Sequence, residues 1–301
     1  MRGAPLADGE GGFGKVFEAT ATDGSPAVAK FVDKMPGAHR ELLIGDSLRA
    51  EQFRNVVPIL DQGEHEGSWV LVMPRADKSL AQHLHQADGP LDLTETLSIL
   101  SDIATALSDI GTAVVHRDLK PENVLYLKGR WCLADFGIAR YAEAVTAADT
   151  RKYNLTFPYG APEQWRHEHA TSATDVYAFG VIAFRLLAGK LPFEGPDPAS
   201  FQEQHLRETP PRLDATTTRL RNLVEECLYK AATTRPTATN ILARLERAAE
   251  EPDTPGVARL MRHNQVEVQR RAESQAQELA DREEAERRAE MFSAAVQSVT
   301  L

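Results

Sequence analysis

His116-Arg117-Asp118-Leu119-Lys120-Pro121-Glu122-Asn123, succeeded after a short hydrophobic run by Asp135-Phe136-Gly137, is the stretch on which the reading of this chain turns. Asp118 and Asn123 share one short loop. Asp135 opens a second loop directly after the apolar run 131–134, so three oxygen-bearing side chains can converge on one small volume. Magnesium takes hard oxygen ligands alongside phosphate and water, and Asn123 and Asp135 supply that ligand type. Asp118 is left as the candidate base. The set points to phosphoryl transfer from Mg-ATP, and ordinary turn residues would have no reason to fall in this order and at this spacing.

Upstream, Gly9, Gly11 and Gly14 fit a G-x-G-x-x-G pattern that Val16 extends. Three spaced glycines alone carry little information. The residues after them decide their meaning: 16–20 reads as a strand, Asp23-Gly24 as a turn and 27–32 as a second strand, whereas a dinucleotide-binding fingerprint must open a helix. A glycine-rich hairpin lets backbone N–H groups approach phosphates, because no side chain stands in the way. Lys30 closes the second strand run. In 39–49 the residues Leu42, Leu43, Ile44 and Leu48 predict a short amphipathic helix, and apolar spacing from Leu93 to Leu107 predicts a longer one over 91–110, with Thr94 as its start. The run 69–73 reads as a strand stopped by Pro74, and 124–127 with 131–133 as a hairpin.

Taken together, H-R-D-L-x-x-x-N, D-F-G, the glycine loop, Ala27-Val28-Ala29-Lys30 and Ala161-Pro162-Glu163 resemble the eukaryotic-type Ser/Thr protein kinases, and the chain looks like a bacterial member. The resemblance covers about residues 6 to 247. It implies an α+β, two-lobed protein kinase fold: a kinase domain over 6–250, with a small β-rich lobe at about 6–74 and a larger helical lobe at about 77–250, then a charged helical tail over 251–301. It further implies ATP and Mg2+ as cofactors and Ser or Thr hydroxyls of proteins as acceptors, those of the chain itself included.

Residue by residue, the resemblance makes Asp118 the base, Lys120 a charge partner of the transferring group, and Thr156 the hydroxyl that bonds both. Lys30 holds the phosphates and pairs with Glu41, for which Glu51 is the competitor. Asn123 and Asp135 hold magnesium. Gly9, Gly11, Gly14, Val16, Val28 and Leu125 line the nucleotide site, Met73 is the gatekeeper, and Pro74 and Ala76 belong to the hinge. Arg117 implies an activation-loop phosphate, for which Thr150 is the candidate and Thr146 and Tyr153 the competitors. Lys120 and Thr156 favour Ser/Thr over Tyr acceptors. The family's Asp175 helix start, Glu163 and Arg235 are read as structural, with Arg235 pairing Glu163. Three departures stand out: Val28 replaces a usual Ala, Pro74 a common Glu and Leu155 a common Gly. Two rival readings are a nucleotide-binding pseudokinase that acts as a scaffold and a small-molecule kinase of related fold. Against the first, no catalytic residue is missing; against the second stand Ala161-Pro162-Glu163 and Thr156.

Composition sets outer bounds. The 301 residues are 42% hydrophobic and 26% charged, enough for one large or two-lobed domain. A net charge of -10 without a Lys/Arg block argues against a nucleic-acid partner. Cys132 and Cys227 both sit in apolar surroundings and read as buried, reduced thiols. There is no apolar run of about 18 residues and no charged-then-apolar leader pattern, so the expectation is a cytoplasmic protein without a membrane span. The spacing of His83/His85 and His167/His169 invites a metal reading, but no Cys or carboxylate cluster accompanies either pair. Pro252, Pro255 and Gly256 mark a break before a Glu-, Arg-, Gln- and Ala-rich tail whose apolar stripe fails strict heptads, a candidate for partner binding or weak self-association. Removing residues 253–301 is therefore expected to leave the core folded and active on a generic peptide, checked by the solubility and peptide phosphorylation of a chain ending at Pro252; insolubility of that chain would overturn the boundary.

Overall fold

The computed structural model describes residues 5–11, 14–33, 53–87, 89–111, 114–136, 155–214 and 216–250, with two isolated positions, 270 and 274, beyond them. The expected helix at 39–49 and, apart from those two positions, the tail lie outside these residues. Strands β1 (Pro5–Gly11), β2 (Gly14–Thr20), β3 (Pro26–Asp33), β4 (Asp61–His65) and β5 (Ser68–Pro74) form an antiparallel sheet in the order β1-β2-β3-β5-β4. The β2–β3 turn is dictated by its sequence. Asp23 Oδ1 accepts the Ser25 N–H at 2.9 Å and its hydroxyl at 2.6 Å, and Gly24 takes φ +83°, which a side chain would resist.

The other described residues are mainly helices and loops, with a three-stranded sheet of β6 (Lys78–Ser79), β7 (Val124–Leu127) and β8 (Arg130–Leu133). Lys128 and Gly129, both at positive φ, close the β7–β8 hairpin with the handedness that suits strand twist. Helix α1 spans Leu80–Gln86 and α2 spans Leu93–Ile110. The start of α2 is capped by Asp92, whose side chain accepts the Glu95 N–H, and not by Thr94. Ile99, Leu100, Ile103, Ala106, Leu107 and Ile110 recur at helical spacing and are buried along its inner face.

Among the described residues the larger lobe has five further α-helices: α3 (Pro162–Trp165), α4 (Ser172–Ala188), α5 (Pro198–Arg207), α6 (Thr218–Cys227) and α7 (Ala238–Glu250). Helix α4 is buried on nearly every face and, Arg185 apart, carries no charged side chain after its first turn, as suits a central core helix. It ends at Gly189 with φ +71°, where a Cβ would lie 2.8 Å from Pro90 N. Among the described residues no helix is long and apolar enough to cross a membrane.

One histidine is walled in by this packing. His205 of α5 is fully buried, 4.9 Å from the Phe193 ring and 5.7 Å from the Tyr177 ring, with Nδ1 2.9 Å from the Tyr177 hydroxyl. Burial, aided by the nearby Lys230 ammonium, lowers its pKa to about 3. Between that value and 6.5 the unfolded chain binds the proton that the folded chain refuses. This contribution to stability is complete above the unfolded pKa and is lost as pH falls, the loss reaching about 2 kcal/mol at pH 5. His205→Phe and His205→Gln are expected to flatten this part of the dependence, read as the denaturant midpoint against pH; variants with the parent's slope would overturn the assignment.

Candidate active site

The loop after α2 is shaped by backbone contacts before any side chain can act. Arg117 sits at φ +67° and Asp135 at φ +58°, left-handed conformations that a side chain normally disfavours by about 1–3 kcal/mol. Both are held by the surrounding structure. Asp175, in the first turn of α4, accepts the His116 N–H on one oxygen and the Arg117 N–H on the other, each at 2.8 Å. Burial raises the Asp175 pKa to about 7, against the pull of those two donors and the Arg117 charge. His116 is buried and its pKa is lowered, desolvation being the cause. The neutral ring donates from Nε2 to Ala134 O at 2.9 Å and accepts the Asp118 N–H on Nδ1 at 3.4 Å, so one tautomer serves both loops. Its ring also packs on the buried Phe136, with centroids 4.8 Å apart.

Around Asp118 the side chains converge. Thr156 Oγ1 donates to Asp118 Oδ1 at 2.8 Å, and Lys120 Nζ lies 2.9 Å from Oδ2 and 3.3 Å from Thr156 Oγ1. The turn Pro121–Asn123 delivers Asn123, whose Nδ2 donates to the Asp118 carbonyl at 2.8 Å and more weakly to Oδ2 at 3.3 Å. The Ala134 N–H donates to Asn123 O at 2.9 Å and brings Asp135 alongside. Lys30, buried on β3, reaches Asp135 Oδ1 at 2.7 Å. This ion pair is one of the contacts that join the two lobes.

The remaining candidates fall around this centre. Gly9 and Gly11 end β1 and Gly14 begins β2, paired as a hairpin, with Val16 opposite Lys30. Val28 lies opposite Met73 across β3 and β5, and Met73 and Leu125 pack on the Val57, Cys132 and Ala134 cluster. Pro74 ends β5; Arg75 N–H donates to Pro26 O at 3.2 Å, its guanidinium pairs with Glu18 at 2.7 Å, and Ala76 comes next, half-buried. Glu41 and Thr150 lie outside the described residues. Below the site, Arg235 grips Glu163 through two bonds of 2.7 and 2.9 Å, and Thr174 donates to the same carboxylate. Burial pushes the Glu163 carboxyl up, but Arg235 more than offsets this and leaves it below its usual range. Asp175, read from sequence only as a structural helix start, also holds the backbone of the loop at 116–117; its one local signal is a carboxylate at the head of an apolar run.

A family model described as "Protein kinase domain" matches residues 8–245. The chain is 33% identical to the serine/threonine-protein kinase PrkC of Bacillus subtilis over 60% of its own length and 28% of that protein's. It is 35% identical to the serine/threonine-protein kinase pkn2 of Myxococcus xanthus over 70% of its length and 27% of that protein's. With PkaA of Streptomyces coelicolor, also a serine/threonine-protein kinase by name, it shares 34% identity over 65% of its length and 37% of that protein's. The chain therefore spans well under half the length of these curated relatives.

Asp175→Asn keeps one acceptor and sets an NH2 group against a buried N–H, so unfolding free energy is expected to fall by about 1–3 kcal/mol. Chemical denaturation checks this, and an unchanged midpoint would show that the two contacts carry no weight.

Proposed function

Because the chain belongs to the protein kinase domain family, we propose that it is an ATP-dependent protein serine/threonine kinase. The observation that carries the reading is the joint arrangement of Asp118 with Lys120 and Thr156, within one set of loops, beside the Lys30–Asp135 pair. Asp118 accepts the proton of a Ser or Thr hydroxyl while that oxygen bonds to the γ-phosphorus and the bond to the departing ADP oxygen breaks. Lys120 offsets charge on the transferring group, and Thr156 keeps the Asp118 carboxylate oriented. Lys30 contacts the phosphates from the small lobe, with Glu41 as its further partner, and backbone N–H groups near Gly9, Gly11 and Gly14 close over them. Val16, Val28, Met73 and Leu125 enclose the base, and the Pro74 carbonyl and Ala76 backbone recognise its edge. Pro74 has no N–H to give.

The donor set fits magnesium. Asn123 commits Nδ2 to Asp118 and so keeps its amide oxygen as the cation-facing atom, while Asp135 presents a carboxylate already turned toward a positive group. Bound there, the ion neutralises phosphate charge. Most of the rate gain then comes from positioning and charge stabilisation. Protein substrates, control through a phosphate on Thr150 held by Arg117, and a kinase unit ending near residue 250 belong to the same proposal. The buried thiols of Cys132 and Cys227 suit a reducing, cytoplasmic setting.

Incubation with Mg-ATP and a Ser/Thr peptide tests the reading. Asp118→Asn is expected to lower transfer about a hundredfold or more while leaving ATP binding nearly unchanged. Asp135→Asn should weaken Mg-ATP binding as well. Turnover unaffected by Asp118→Asn would sink the assignment, and ATP binding without transfer by the parent protein would favour the scaffold.

A further inference from the structure

Gln164, next to Glu163 in α3, has a side chain that no role above uses, and both ends of its amide are engaged. Its Oε1 accepts the Ala161 N–H at 3.0 Å, and its Nε2 donates to the Arg117 carbonyl at 2.9 Å. That carbonyl and the Asp118 N–H belong to one rigid peptide plane. Arg117 is already left-handed, and its N–H is fixed by Asp175 from α4. Gln164 fixes the other end of the same residue from α3. The plane cannot rotate about either neighbour without breaking one of these bonds, and its orientation sets the direction in which Asp118 leaves the backbone. Gln164 also lines one cavity with Asp118, Leu155, Thr156 and Gly160, on the side where the acceptor would approach.

We propose that Gln164 is a positioning residue for phosphoryl transfer: by donating to the Arg117 carbonyl it locks the Arg117–Asp118 peptide plane, and so couples the acceptor-side segment 155–165 to the base. This rests on the kinase reading above. The alternative is that Gln164 serves only as the cap of α3, through Ala161. A glutamate separates the two, because its carboxylate accepts the Ala161 N–H as well as the amide does but when ionised has no proton to give the Arg117 carbonyl.

The experiment compares wild type, Gln164→Glu and Gln164→Ala in steady-state transfer to a Ser/Thr peptide, with amide hydrogen exchange on the same proteins. In Gln164→Glu, kcat is expected to fall about tenfold, the scale of one lost hydrogen bond, with KM for ATP unchanged. Facing a carbonyl raises the new carboxyl's pKa, and its protonated form can donate again. The kcat ratio of Gln164→Glu to wild type should therefore rise as pH is lowered from about 8 to about 5.5, while the Gln164→Ala ratio stays flat. Exchange at the Asp118 amide, which lies in that plane and donates to His116 Nδ1, should be faster in Gln164→Glu. A Gln164→Glu enzyme with the parent's kcat, or with a pH-flat ratio, overturns the proposal. Absence of transfer by wild type would instead defeat the kinase reading, and the positioning role would then stand or fall on exchange alone: unchanged protection at the Asp118 amide overturns it.

Discussion

The buried carboxylate of Asp175 is the contact on which the site depends. It sits in the first turn of α4, where the helix's own unpaired N–H groups favour a negative charge, and spends both oxygens on the consecutive amides of His116 and Arg117. Those two amides belong to a loop that forms no regular ladder, so the carboxylate takes the place of the backbone partners that a ladder would supply. The anchoring then passes outward. His116 carries it to Ala134 and the second loop, and Asn123 carries it to the carbonyl and carboxylate of Asp118. A rigid apolar helix thereby fixes loops whose own sequences have little to hold them.

Polar groups buried at this density cost stability as readily as they supply it. The Glu163–Arg235 pair is fully enclosed, and Arg235 spends its remaining N–H groups on the carbonyls of Tyr229, Ala173 and Lys230. An apolar pair of equal volume would hold the lobe together about as well. What the ion pair adds is direction, since a bidentate guanidinium accepts its carboxylate in few orientations. Lys230 is a comparable case: burial and the nearby Arg235 lower its pKa to about 7, while it lies 4.5 Å over the Phe193 ring and donates to Gln204 O. Such groups sit together beneath the segment 157–165, whose exact placement the acceptor side requires.

Local patterns are legible in the sequence, and long-range ones are not. Turn chemistry and periodicity account for the Asp23-Gly24 turn, the β7–β8 hairpin and the body of α2, and the motifs account for the two-lobed kinase fold. Periodicity puts the start of α2 at the wrong residue because Thr94 and Asp92 both offer a capping oxygen, and the bond to the Glu95 N–H comes from Asp92, whose backbone is extended. For Lys30 the resemblance offers Glu41 as partner, a position outside the described residues, whereas its pairing with Asp135 joins two strands of argument that local pattern keeps apart, one in each lobe. Nothing near Asp175 in the sequence announces that it reaches His116. The cage around His205 is similar, since Trp165, Tyr177, Phe193 and Phe201 come from separate segments.

The segment 53–60 divides its allegiance between the two sheets. Asn55 and Val57 exchange backbone bonds with Leu133 in β8, and Asn55 Nδ2 adds a bond to Trp131 O, so this end belongs to the larger lobe. A few residues on, the Leu60 N–H donates to Val72 O in β5, and the chain has joined the small one. Between them lie only Pro58 and Ile59. The second described crossing, 74–77, is as tight, with Arg75 bonded to Pro26 on one side and Asp77 to Tyr126 on the other. Two short straps anchored at both ends act like the paired pins of a door: they leave the lobes free to swing about the line joining them and oppose sliding or twisting across it. Any opening of the cleft would then be a rotation through a single angle, and it would part the Lys30–Asp135 pair.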